Sequence, residues 1–458
     1  MKKLLLFLLL TYKSTLLGQT ILTSFPLDLT HSKENNQILT VENIRTHNVF
    51  VFATDKKNIT ILKYNSALFL TDQYSLQVNQ NCKSLIGYSF GEDGNPTLYW
   101  SSEGFNTILI VKYYLENKTC EILNFKYSFW DQDVVASFQK NNMFYILSKY
   151  KYKQALNVHT FRDKKVEERI FDFSGFKFQN QNTQFLRFNQ VIIKNPIEKI
   201  EVDDYNPLYK STKKSKVYML EDEIILTLDH NSKKTQVFEL NLKSHDLNEK
   251  TFIQSSLQTP KKISNSFYQD GKLYQINASE SELLLDIKDF NTSQTIKSVK
   301  VSENETISFN NSPLVIQKDN RKPIELKKTK KFLEHLFLLD IGLSVFKKNL
   351  NTLIAVAGTP KEEEPYKPSA LDYEFFGGNV PYIYHTESVY FESILDSNFE
   401  FIHQKEEPHA IDNIFYFLNT NKKITSKSIL KFKDFYILGY YDDIAKQYIM
   451  RKFTDGFF

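Results

Sequence analysis

The sequence predicts an all-β protein, a β-propeller of six or seven four-stranded blades with long inserted loops. Short apolar segments separated by polar or charged turns recur along nearly the whole chain after residue 20. These units begin roughly 45 to 55 residues apart, which is the spacing of propeller blades. Aromatic residues make up 14% of the 458 residues, and flat rings favour half-buried strands.

The repeated unit is clearest between Pro96 and Phe125, where strands are expected at 97–100, 108–115 and 120–125. Two further copies follow the same order at 143–173 and 273–299. A lone sheet of this pattern would leave an apolar face in water, so we expect neighbouring sheets to cover both faces. Partial copies predict further strands at 49–52, 59–64, 68–71, 224–228, 237–242, 414–418, 435–440 and 447–453.

The last unit is expected to lack its fourth strand, because only five residues follow 447–453. The stretch 20–29 precedes the first full unit, and we expect it to pair with the open edge, so that both ends of the chain share one blade. Pro26 suits an edge strand, since proline has no backbone N–H to donate.

Three stretches interrupt the rhythm and are predicted to be inserted connections, near 175–214, 304–331 and 359–386. Loops of this length in a compact scaffold are often functional. At the end of the second insertion, residues 329–339 fit either a short amphipathic helix or a buried strand.

The third insertion carries the predicted partner-binding residues. They are four aromatic residues near Gly377 and Gly378, namely Tyr373, Phe375, Phe376 and Tyr382. Aromatic rings on a loop stack on a sugar or fill a pocket of a partner protein. The alternative is that these rings pack the insertion onto the blade beneath it.

The charge balance excludes one class of partner. The chain has 58 basic and 54 acidic residues, and its formal net charge of +4 creates no strong field for a phosphate backbone. We therefore expect no nucleic-acid partner.

The N-terminus predicts export. Lys2 and Lys3 precede a short apolar run from Leu4 to Leu10, which is typical of a secretory signal and far below the roughly 20 residues that cross a bilayer. Residues 1–19 are predicted to be removed, leaving a single propeller domain over 20–458 without a transmembrane segment. The expected location is secreted, periplasmic or on the cell surface.

No pattern in the chain predicts catalytic residues, a metal site or a cofactor. The segment from His403 to His409 has no known ligand spacing and is interpreted as a solvated turn, and the acidic pairs are interpreted as turns too. There is no Gly-x-Ser-x-Gly or phosphate-binding glycine loop. Cys82 and Cys120 are either a disulfide or two separate thiols.

The leading hypothesis is an exported non-catalytic propeller that binds a protein or glycan and serves assembly in the cell envelope. The alternative is a propeller-type hydrolase or lyase acting on an extracellular polymer. That enzyme would need Asp, Glu or His side chains from at least three units to meet in one pocket.

Overall fold

The computed structural model describes residues 20–29, 36–55, 57–77, 82–102, 105–127, 130–259, 261–318, 321–348, 350–361, 387–404, 408–424 and 426–456. Over these ranges the chain forms seven sheets of four or more strands. Each sheet is built on an antiparallel meander, which is the strand order of a propeller blade. The predicted fold class, an all-β propeller of six or seven blades, is confirmed.

One compact unit comprises Met1–Leu147, Val158–Glu168 and Glu406–Phe458. Its first strands are β1 (Thr20–Pro26), β2 (Gln37–Asn43), β3 (Asn48–Thr54), β4 (Asn58–Tyr64), β5 (Leu70–Gln77), β6 (Cys82–Phe90), β7 (Pro96–Ser102), β8 (Thr107–Tyr114) and β9 (Thr119–Lys126). The first sheet has the order β2-β3-β4-β5, and the second has the order β6-β7-β8-β9.

The third sheet comes next in the sequence, and its four strands pair in chain order. Its strands are β10 (Gln132–Lys140), β11 (Met143–Tyr150), β12 (Ala155–Arg162) and β13 (Lys165–Asp172). Its residues up to Leu147 and those of Val158–Glu168 belong to the first unit, and its other residues belong to the second.

The second unit comprises Ser148–Asn157 and Arg169–Lys405. Its strands are β14 (Phe178–Gln179), β15 (Phe185–Leu186), β16 (Ile197–Ile200), β17 (Ser215–Met219), β18 (Glu223–Asn231), β19 (Lys234–Asn241), β20 (Leu247–Ile253), β21 (Ile263–Gln269), β22 (Lys272–Ala278), β23 (Glu282–Asp289), β24 (Thr295–Ser302), β25 (Val315–Lys318), β26 (Ile324–Glu325), β27 (Asp340–Lys348), β28 (Asn351–Thr359), β29 (Glu387–Leu395) and β30 (Phe401–Ile402). Its helices are α1 (Phe188–Lys194), α2 (Leu208–Ser211) and α3 (Thr329–Leu338).

Inserted segments add strands to two sheets of the second unit. The strand β16 pairs in parallel with β17 and extends the sheet β17-β18-β19-β20. The strand β25 pairs with β29 and extends the sheet β27-β28-β29 at that edge. The sheet β21-β22-β23-β24 has four strands without a contribution from an inserted segment. Residues 175–214 and 304–331 therefore connect sheets and also contribute to them.

Of the two conformations open for 329–339, the chain adopts the helix. Phe332, Leu333 and Leu336 are buried on one side of α3, while Leu338 is exposed. Spacings of three and four residues bring these apolar side chains to one helical face.

The seventh sheet joins both ends of the chain in the first unit. It contains β31 (Lys427–Phe432), β32 (Phe435–Asp442) and β33 (Gln447–Phe453), in the order β1-β33-β32-β31. The pairing of β1 with β33 is antiparallel, with Pro26 opposite Gln447 at the sheet edge. The predicted pairing of 20–29 with the last strand is confirmed.

The predicted strand at 414–418 is wrong, because these residues lie in the helix α4 (Ala410–Thr420). Ala410, Ile414 and Leu418 are buried at intervals of four residues, whereas Phe415 and Tyr416 between them are exposed. The apolar run therefore has the helical period of 3.6 residues and not the period of a strand.

Neighbouring sheets of the first unit share apolar side chains in alternation. On β8, Leu109 and Val111 pack in a cluster with the first sheet. Ile108 and Ile110 pack in a different cluster with residues of the third sheet. Both faces of the second sheet are therefore covered, as its nearly continuous apolar strands predict.

A single cluster of buried side chains runs through the three large sheets of the second unit, from Tyr218 through Phe267 to Leu343. Among the residues placed above, no helix is both long and apolar enough to cross a membrane.

Deleting residues 20–26 is expected to lower the melting temperature by about 5 °C or more, because β33 becomes an uncovered edge. Circular dichroism of the full chain and the deletion variant measures the effect. Ile21→Thr is the control, because the Ile21 side chain is 55% exposed and contributes little burial. An unchanged melting temperature in the deletion variant would contradict the stabilising role of β1.

Candidate functional site: a charged cleft

The aromatic residues predicted to bind a partner, Tyr373, Phe375, Phe376 and Tyr382, lie outside the described residues. The chain on either side of them is placed. The Thr359 hydroxyl is 2.8 Å from that of Thr212, and Glu387 pairs with Lys318 at 2.9 Å. Both flanks are therefore anchored to the second unit, and the assignment of the four aromatic residues stays a prediction.

The first unit contains a cleft of about 530 Å³ that is rich in charged side chains. We call it the charged cleft. It lies between the turn that follows β6, the middle of β8 and the hairpin that joins β12 to β13. Its lining residues are Phe90, Gly91, Glu92, Asp93, Lys112, Thr160, Arg162, Asp163, Lys164, Lys165 and Glu167.

Lys112 forms the floor of the charged cleft. It follows four apolar residues on β8, and its side chain is only 7% exposed. Its ammonium group lies 3.0 Å from the Asp93 carboxylate and 3.1 Å from that of Asp163. The two carboxylates come from different sheets, so this lysine ties the second sheet to the hairpin of the third.

Besides its contact with Lys112, Asp163 is held by three other residues of the second sheet. Its backbone has a φ of 53°, in the left-handed region that suits a tight hairpin turn. Its N–H donates to the Ser89 hydroxyl at 2.9 Å, and its carbonyl accepts from the Tyr99 hydroxyl at 2.9 Å. Its carboxylate also accepts from the Thr97 hydroxyl at 3.0 Å. The hairpin is therefore held rigidly at the wall of the cleft.

The absence of a side chain at Gly91 leaves space for the contact between Asp93 and Lys112. A Cβ atom at residue 91 would lie 2.4 Å from an Asp93 carboxylate oxygen and 3.0 Å from the Lys112 nitrogen. A larger residue would therefore push the carboxylate away from the ammonium group.

The rim of the charged cleft carries weaker ion pairs. Arg162 lies 3.3 Å from Glu92, and their side chains are 55% and 83% exposed. Lys164 pairs with Glu121 at 2.8 Å, and Lys165 is exposed. Pairs as exposed as these contribute little to stability, because water and salt screen them.

Asp93 and Lys112 are held in their charged forms. Burial alone would raise the pKa of Asp93, but its hydrogen bonds to Lys112 and Asn95 lower it overall. Burial would likewise lower the pKa of Lys112, but its hydrogen bonds to Asp93 and Asp163 raise it overall. Neither group exchanges protons easily near neutral pH, so the floor is suited to binding charge rather than to acid–base catalysis.

The carboxylates of the cleft come from two sheets and not from three. Asp93 and Glu92 belong to the second sheet, and Asp163 and Glu167 to the third. Within the described ranges, no group of three His, Cys, Asp or Glu residues is placed to hold a metal ion. The arrangement required for the alternative enzyme is therefore absent from this cleft.

Two other polar residues that are candidates in the sequence form hydrogen bonds that stabilise local backbone structure. His409 precedes α4, and its N–H donates to Asp412 at 3.1 Å. Asp442 accepts the N–H groups of Ile444 and Ala445 in the turn before β33. These contacts stabilise a helix start and a turn.

The two cysteines lie on strands at opposite edges of the second sheet, β6 and β9. Three strand spacings, or about 14 Å, separate these edges, which exceeds the reach of a disulfide. Cys120 is a free thiol.

A second charged group is enclosed in the second unit. Lys216 is fully buried, 2.5 Å from the Asn265 side-chain oxygen and 3.5 Å from the Asp229 carboxylate. Burial lowers the pKa of Lys216 to about 8. A lysine of low pKa is a potential nucleophile, but no substrate reaches a side chain without exposed surface. We therefore interpret it as a link between β17, β18 and β21.

The charged cleft is not evident from the sequence. One signal was present, because Lys112 interrupts the apolar stretch of β8 and a buried lysine requires a partner. Its partner Asp163 lies 51 residues further along the chain, and nothing in the local sequence links the two.

Replacing Asp163 by Ala is expected to destabilise the chain by about 2 kcal/mol or more, because the buried Lys112 loses one of two carboxylates. Urea denaturation measures the change. Glu92→Ala is the control, with an expected loss below about 0.5 kcal/mol, since this pair is exposed. Equal effects of the two substitutions would show that the Lys112 contacts do not organise the cleft.

Lys216 predicts a specific dependence of stability on pH. Between about pH 8 and 10.5 the unfolded chain keeps the proton on Lys216, while the folded chain has lost it. The free energy of unfolding of the wild type, relative to Lys216→Met, is therefore expected to rise with pH in this window. Urea denaturation of both proteins at several pH values measures the difference, and a flat difference would contradict the lowered pKa.

Comparison with known proteins assigns no family. No protein-family model matches this sequence, and no curated protein is significantly similar to it. The chain spans 61% of the length of an ACO/RPE65 chimera and of cobalt-substituted Synechocystis ACO, at 8% identity, with 58% of this chain covered and a TM-score of 0.28 in each case.

Three other solved structures are similar over more of their length. The WD40 domain of SCAP from fission yeast is 12% identical, covers 96% of this chain and 98% of its own, and has a TM-score of 0.31. The AfRom2 CNH domain is 8% identical, the match covers 95% of this chain and 98% of that domain, and the TM-score is 0.32. The polysaccharide lyase Uly1 is 7% identical, the match covers 79% of this chain and 78% of the lyase, and the TM-score is 0.31. Similarity this low carries no functional argument, and the fold assignment rests on the sheets themselves.

Proposed function

We propose that this chain is an exported, non-catalytic β-propeller that binds a protein or glycan partner and serves as an assembly module of the cell envelope. The observation that carries the proposal is the charged cleft. The ion pairs of its floor keep Lys112 and Asp93 charged, and its rim presents further charged side chains to solvent. Such a surface recognises a partner by electrostatic complementarity.

The rigidity of the cleft supports binding. Asp163 is held by Ser89, Tyr99 and Thr97, so the hairpin that carries it does not have to be ordered when a partner docks. Binding sites that are ordered in advance lose less conformational entropy on association.

Export remains a proposal from the sequence. The basic start and short apolar run of residues 1–19 support it, and these residues lie outside the described part of the chain. The aromatic residues Tyr373, Phe375, Phe376 and Tyr382 are proposed as an additional contact surface on the same basis.

The alternative, a hydrolase or lyase acting on an extracellular polymer, has less support. Its catalytic acid would need a raised pKa close to neutrality. In the charged cleft the hydrogen bonds of Asp93 act in the opposite direction and lower its pKa overall.

Native purification of the tagged full chain from its own host tests the proposed function. We expect the chain in the envelope or extracellular fraction, together with one partner in a fixed ratio, and we expect deletion of residues 1–19 to keep it in the cytoplasm. A chain that purifies alone and cleaves an envelope polymer would contradict the proposal and favour the enzyme.

A further inference from the structure

The ion pair between Arg162 and Glu92 is the most exchangeable contact of the charged cleft. It consists of a single contact of 3.3 Å, and the Glu92 side chain is 83% exposed. The floor is different, since Lys112 is nearly buried between two carboxylates. An incoming group is therefore expected to displace Glu92 and to leave the floor intact.

Arg162 is well placed to receive such a group. It directly precedes Asp163, whose backbone and side chain are fixed by three residues of the second sheet. Lys164 and Lys165 follow in the same hairpin, so three basic residues extend from one rigid turn. A guanidinium group binds a carboxylate through two parallel hydrogen bonds when the geometry allows it.

The composition of the rim favours a protein segment over an acidic glycan. Glu92 and Glu167 line the cleft beside the basic residues and would repel a polymer that repeats only negative charge. Among the described lining residues the one aromatic side chain, Phe90, is 3% exposed and offers no face for stacking on a sugar ring. A polypeptide can alternate acidic and basic side chains to match this pattern.

We propose that the charged cleft binds an extended segment of a partner protein, and that an acidic side chain of this segment replaces Glu92 at Arg162. This inference rests on the proposed function, because it specifies the partner of the same cleft. Glu92 then acts as an internal competitor that occupies Arg162 until the partner arrives.

Peptide selection on the full chain tests the proposal. A phage-displayed library of random dodecapeptides is the probe, and enriched peptides are synthesised and measured by fluorescence anisotropy. We expect the enriched peptides to contain Asp or Glu. We expect Arg162→Ala to weaken binding by at least about fivefold, and Glu92→Gln to strengthen it by about twofold or more.

Lys422→Ala is the matched control, because Lys422 is an exposed basic residue of the same unit outside the cleft. It is expected to leave peptide affinity unchanged, and melting temperatures confirm that all three variants fold. Peptides without acidic residues, or equal affinities for Arg162→Ala and Lys422→Ala, would overturn the inference. Displacement of the peptide by oligogalacturonate at similar concentration would also overturn it, in favour of an acidic glycan.

The same variants separate this inference from the proposed function. A native partner that co-purifies equally well with wild type and Arg162→Ala would leave the proposed function in place and remove the role of the cleft. A chain that purifies without any partner would instead contradict the proposed function.

Discussion

The structure depends on the burial of both faces of its sheets. A four-stranded sheet with apolar residues on both faces cannot persist alone in water, and alternate residues of β8 enter two different clusters. The same alternation occurs on β3, where Val49 and Val51 pack toward the seventh sheet and Phe50 and Phe52 toward the second. Register along each strand is therefore strongly specified, because a shift by one residue would exchange the two sets.

Polar side chains add specificity to this apolar packing. Two lysines on largely apolar strands, Lys112 in the first unit and Lys216 in the second, each pair with a carboxylate. Pairs of this kind contribute little net stability, but a mispaired arrangement would leave a buried charge alone. Such pairs therefore destabilise misfolded arrangements more than they stabilise the native one.

Local pattern was sufficient to predict most of the strands and the pairing of both chain ends. Strands at 97–100 and 108–115 were recognisable because polar turns bound them on both sides, and they correspond to β7 and β8. The segment 414–418 was misassigned, since five apolar residues are too few to separate a helix from a strand by period. The outer strand β25 was not foreseen, because it precedes in sequence the three strands that it completes.

The charged cleft could not be predicted from the sequence in the same way. Its floor joins Asp93, Lys112 and Asp163, and only the packing of two sheets brings the third of these to the other two. The aromatic residues of the third insertion, by contrast, were visible in the sequence because they cluster within ten positions.

The pairing of β1 with β33 also orders events during synthesis. Thr20–Pro26 is synthesised well before its partner β33, which lies more than 400 residues downstream, so β1 stays unpaired until β33 has been translated. Throughout that interval the backbone N–H and C=O groups of Thr20–Pro26 are available to chaperones. Completion of the seventh sheet thus requires translation through β33.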